Sequence, residues 1–166
     1  DLHVFLSDLS RISSGRFIWL FGDDFIILTK NWVSALRQAY NIFDDHLLVC
    51  AFKSTRINKY SRTICRLGNK GPIVSKEWIE CCKCVAPSHT YDKFLFVIGR
   101  IIKRYLYIKT VEVGINLAKC KKKKKHEKIE SLILFNKDPS HYINLLMSSI
   151  ITQEEVVCPE GMIIQA

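Results

Sequence analysis

The sequence predicts an α/β fold: a small four-stranded parallel sheet flanked by helices, followed by a partial second α/β unit. Three observations carry this expectation. Short β-prone apolar runs alternate with stretches of helical spacing through residues 1–96, the order expected of a parallel sheet covered by helices. The run Leu47-Leu48-Val49-Cys50-Ala51-Phe52 is apolar throughout, which suits a strand covered on both faces. A strand, helix, strand order then recurs over residues 129–166.

The elements follow in chain order. His3-Val4-Phe5-Leu6-Ser7-Asp8 reads as a first strand, and the Ser/Gly cluster at Ser10, Ser13, Ser14 and Gly15 reads as a helix start. Residues 16–21 read as a short helix stopped by Gly22-Asp23, and Phe25-Ile26-Ile27-Leu28-Thr29 as a strand. Between residues 32 and 43 the apolar positions Trp32, Val33, Leu36, Ala39, Tyr40 and Phe43 keep near-helical spacing. A helical pattern over residues 58–67 ends near Gly68 and Gly71. Pro72-Ile73-Val74-Ser75 is a further strand, Ser75 an N-cap, and Trp78 and Ile79 are the inward residues of the next helix. Residues 97–128 read as a connecting region with a lysine-rich end, and Asp138-Pro139-Ser140 as the capped start of a helix through Met147. Residues 132–135 and 155–158 read as the strands around it, a truncated repeat of the first unit.

Residues 67–82 resemble the signature of the BRCT family, in which a glycine turn precedes a short strand ending in Ser or Thr. The next helix of that signature carries a Trp with a Cys four residues on. The counterparts are Gly68 or Gly71, the strand ending at Ser75, then Trp78 and Cys82, both expected in the core. Asp92 beside Tyr91 resembles the exit from the family's last helix, and Val4 and Leu47 fall where its first and third strands begin. The resemblance covers residues 1–96. It implies a non-enzymatic protein-interaction scaffold, nuclear and tied to DNA-damage and cell-cycle signalling, that needs no cofactor. A subset of the family binds phosphoserine or phosphothreonine peptides. The matching positions here are Ser7 for the hydroxyl, Asp8 for the backbone N–H and Arg62 for the helix cation, with Lys59 one turn away on the same face. A guanidinium suits a phosphate. Asp8 stands where the family has Gly, and its carboxylate repels that ligand.

Composition bounds the remaining classes. The chain of 166 residues carries 25 Lys+Arg against 16 Asp+Glu, a formal charge of +9. Seven Lys and one Glu lie within residues 119–128, so that segment supplies +6 and the rest of the chain +3. Lys121, Lys122, Lys123, Lys124 and Lys125 read as a solvated tether, a nuclear-import signal or a non-specific contact to nucleic-acid phosphates. The last of these is the alternative function, a basic protein that binds the phosphate backbone weakly. The odd number of Cys, seven, and the crowding of Cys81, Cys82 and Cys84 argue for a reducing compartment. Adjacent Cys rarely share one zinc ion, so Cys50, Cys65 and Cys82 read as small core residues and no metal is expected. No nucleophile, phosphate loop or dinucleotide fingerprint appears. Arg100, Lys103, Arg104 and Lys109 interrupt the most apolar region, so no membrane partner is expected. Asp1 in place of Met reads as a piece of something longer. The expected partner is a protein, phosphorylated or not.

Overall fold

The apolar run at residues 47–52 feeds the middle of a single sheet. In the computed structural model the described residues are 2–22, 24–57, 62–64, 71–87, 91–116, 139–153 and 156–165. Strand β3 (Val49–Ile57) is covered on both faces, as its composition predicts: Val49 and Ala51 enter one core, Cys50 and Phe52 the other. The sheet runs from edge to edge as β1 (Phe17–Trp19), β5 (Ile73–Ser75), β3, β6 (Tyr105–Asn116) and β2 (Phe25–Ile27). Strand β4 (Arg62–Ile64) also pairs with β3, and β7 (Met162–Gln165) with β6.

One face carries helices α1 (Leu2–Ile12), α3 (Lys76–Cys82), α4 (Tyr91–Ile101) and α5 (Pro139–Ser149), packed around Trp78, Phe94, Leu95, Ile98, Tyr142 and Leu146. The other face carries α2 (Trp32–Tyr40), whose Leu36 and Ala39 meet Phe52, Ile73, Leu106 and Ile108. Helix α3 starts as its sequence predicts. Ser75 is extended at φ −70°, and its hydroxyl accepts from the Trp78 N–H, while Trp78 and Ile79 point inward.

The all-parallel expectation is corrected. Among the described residues only β3 and β6 run parallel; β1 with β5, β5 with β3, β4 with β3, β2 with β6 and β7 with β6 are all antiparallel. Parallel neighbours need a crossover of roughly a dozen residues or more, and residues 58–61 are too few to provide one between β3 and β4. The chain from β3 to β6 does have that length and passes through α3 and α4. The partial second unit is corrected as well: β7 joins β6 in the same sheet, and α5 packs its buried Tyr142 and Leu146 into the first core. The described part of the expected strand at 155–158 is not a strand, and β7 forms further on.

Three local expectations change for identifiable reasons. Residues 3–8 lie within helix α1, a segment without Pro or Gly whose inward side carries Leu6, Ser7 and Ser10. Residues 17–19 form β1, since Phe-Ile-Trp is aromatic and β-branched and so suits a pleated surface. Arg62 lies in a strand, paired with Ile57, where a helix was expected. The strands expected over residues 132–135 and the lysine run lie outside the described residues.

The register of β3 against β6 jumps between Phe52 and Lys53, from Ile108 to Glu112. Residues 109–111 of β6 therefore bulge and bend the sheet. The bend lets β7 pair with the first part of β6 and β2 with the last.

Candidate functional site

Strand β1 lies at the edge of the sheet, and among the described residues β5 is its one neighbour. The flanking hydrogen bonds run from the Leu20 N–H to Pro72 O at 3.2 Å and from the Lys76 N–H to Arg16 O at 2.9 Å. Antiparallel alternation therefore turns the main chain of Ile18 toward β5, and that of Phe17 and Trp19 toward the open edge.

Side chains alternate as well. Phe17 and Trp19 face the α2 side, while Ile18 and Leu20 face the α1 side. A cleft flanks the edge on each face. On the α2 side a cleft of about 310 Å³ is lined by Arg16, Phe17, Trp19, Trp32, Val33, Leu36, Arg37, Tyr40 and Ile73. On the α1 side a more open cleft of about 550 Å³ is lined by Leu6, Leu9, Ser10, Ser13, Ile18, Leu20, Phe21 and Tyr91, together with Phe17 and Trp19.

The aromatic floor of the first cleft is fixed from below. Trp19 packs on Trp32 with ring centres 5.2 Å apart and edge-on to Phe52 at 5.3 Å, and Phe17 meets Tyr40 edge-on at 5.5 Å. The Trp19 indole N–H donates to Gly71 O at 2.9 Å. Gly71 has φ +65°, and a Cβ there would stand 3.1 Å from the Phe25 ring and 3.3 Å from the Trp19 indole nitrogen. This turn needs glycine for both reasons. On the other side, the Lys76 ammonium donates to Ser10 O, Arg11 O and Ser13 O at 2.7–3.0 Å, which satisfies the C-terminal carbonyls of α1 and anchors it beside β1.

Tyr40 closes one end of the first cleft. Its ring carries the Arg16 guanidinium at 5.2 Å and stacks on His46 at 4.0 Å, and its hydroxyl donates to the Glu77 carboxylate. Burial first, and the bond to Glu77 second, push its pKa up to about 12, so the phenol stays protonated at neutral pH. The buried thiols of Cys50 and Cys82 are pushed up by burial too and are not thiolates. The site thus offers aromatic faces, aliphatic surface and two exposed guanidiniums, Arg16 and Arg37. None of the described residues lining the cleft is a Ser, Cys, His, Asp or Glu.

The residues named from the resemblance are not gathered there. Ser7 is buried in α1, where its hydroxyl accepts from the Val85 N–H at 3.3 Å. Asp8, exposed on the same helix, pairs with Arg11 at 3.3 Å. Arg62 belongs to β4, a different element, and Lys59 and residues 121–125 lie outside the described residues. Trp78 and Cys82 sit in the first core. Sequence reasoning missed the cleft itself. Its signal was present as the aromatic residues Phe17, Trp19 and Trp32 within one short stretch, with Tyr40 two helical turns on.

Among the described residues no helix is long and apolar enough to cross a membrane. Comparison of the chain with known protein families, with curated proteins and with solved structures finds no match.

Proposed function

We propose that the chain is a non-enzymatic protein-interaction module that docks a segment of another protein in the cleft between β1 and α2. The composition and shape of that cleft carry the reading. Trp, Tyr and Arg dominate the energetics of protein interfaces when a partner buries them in a concave site, and here Trp19, Trp32, Tyr40, Arg16 and Arg37 line one cleft together. Exposed apolar side chains continue the surface: Val33 on this cleft, Leu9 and Phe21 on its neighbour. The two guanidiniums favour a partner that brings carboxylates.

The test is selection of binders from a displayed library of random linear peptides against the whole chain, followed by affinity measurement with Val33→Asp and Arg37→Glu. Both residues are exposed on α2, so the variants should fold. Binding should weaken about tenfold or more in each variant, equivalent to roughly 1.4 kcal/mol. Peptides that bind both variants as they bind the parent chain would remove the cleft from consideration.

A further inference from the structure

We propose that the occupant is an extended, acidic peptide that adds a strand to the open edge of β1; this rests on the docking role assigned to the cleft and specifies its mode and chemistry. The Phe17 and Trp19 main chains face outward, so their N–H and C=O groups can take the ladder bonds that β5 supplies on the other side. Strand addition of this kind draws affinity from the main chain and selectivity from alternate side chains. The two clefts are placed to provide that selectivity. They lie on opposite faces of the same three-residue strand, and successive side chains of an added strand point to opposite faces. A peptide here sends one residue toward Trp19 and Trp32, and the next toward Ile18 and Leu9.

Charge selects the class of occupant. Arg16 and Arg37 line the α2-side cleft. None of the described residues lining that cleft is acidic, so an acidic residue in the peptide meets two guanidiniums there, with the Glu77 carboxylate held on the Tyr40 hydroxyl. A second copy of the chain is disfavoured as the occupant, because each copy carries +9 and edge-to-edge pairing would bring the arginine-lined clefts together.

One enriched peptide from the displayed library, synthesised with N-methyl groups at every second backbone position in each of the two phases, tests the mode. Methylation in the phase that faces β1 should weaken binding about tenfold, from the loss of ladder bonds, and methylation in the other phase should not. The Phe17 and Trp19 amides should move in ¹⁵N NMR spectra on titration, and the enriched sequences should be rich in Asp and Glu. Val33→Asp abolishing binding while both methylation phases are tolerated would overturn strand addition and leave the docking role intact. Indifference to methylation and to Val33→Asp together, or no enrichment at all, would overturn both. Basic or neutral enriched sequences would overturn the acidic class, and a dimer in sedimentation velocity that dissociates on Phe17→Pro would give the edge to a second copy.

Discussion

Ser75 shows how much one buried hydroxyl can hold. It accepts from the Trp78 N–H at 3.4 Å and from the Leu48 N–H at 3.2 Å, linking the start of α3 to the entry of β3. Ser75→Ala removes the cap and strands a buried donor, so unfolding in urea should show a loss of about 1–3 kcal/mol. Asp45 acts across a longer span. Its carboxylate accepts from Arg104 Nη2 and from the Ile151 N–H, each at 3.0 Å, while the guanidinium lies 4.2 Å over the Phe43 ring. The pair is nearly inaccessible, with side chains 4% and 9% exposed, so Asp45→Ala leaves an uncompensated buried charge and should cost roughly 3–5 kcal/mol. Buried thiols and tyrosines together set the alkaline limit. Burial is the largest cause that pushes Tyr40 and Tyr142 to about 12, above the unfolded value of about 10. The unfolded chain therefore releases those protons first, and it releases the Cys50 and Cys82 thiol protons, also pushed up by burial, earlier still; stability declines as pH rises above about 8.5, and the tyrosines add to the decline from about pH 10 through 12. Urea midpoints measured against pH should show this, with a shallower decline in Tyr40→Phe; parallel profiles for the two chains would count against it.

Elements differ in how far their own residues specify them. Helix α3 is legible because its start signal is local: an extended Ser with two apolar residues placed to turn inward. Helix α1 is harder to read because its buried face includes Ser7 and Ser10, while Phe5, Leu9 and Ile12 stay exposed. The apolar residues there mark a surface rather than the core contact. Strand β7 depends on one backbone conformation. Gly161 has φ +79°, its carbonyl accepts from the Lys109 N–H at 2.8 Å in the β6 bulge, and a Cβ added to it would fall 2.3 Å from Thr110 Cγ2. Gly161→Ala should destabilise by at least about 1–2 kcal/mol from the left-handed backbone alone. Amide exchange at residues 162–165 should accelerate more than at β3, and adding Thr110→Ala should recover the part of the loss that comes from the clash.

At the scale of the whole molecule, two cores share one sheet, and the C-terminal residues enter both. Tyr142 and Leu146 belong to the core under α3 and α4, and Met162 to the core under α2. A chain ending at residue 116 would lose these side chains, the β7 edge and the Ile151 contact to Asp45. It should show no cooperative unfolding transition, whereas an independent first unit would keep the midpoint of the full chain. Circular dichroism in a urea series decides between them.

By itself the sequence determined the inward residues of several elements and how those elements begin. The continuous apolar run of β3, the Ser75 cap, the inward Trp78 and the helical spacing of α2 all follow from hydrophobic period and local capping, which act within a few residues. Strand direction and neighbours were decided only by tertiary structure. A β-strand presents the same hydrogen-bonding groups to a parallel or an antiparallel partner, so nothing in Phe17-Ile18-Trp19 states that β5 lies on one side and an open edge on the other. The cleft follows from that choice. Its residues come from β1, α2 and β5, elements brought together by pairings distant in the chain and held there because both faces of the sheet bury their apolar residues at once.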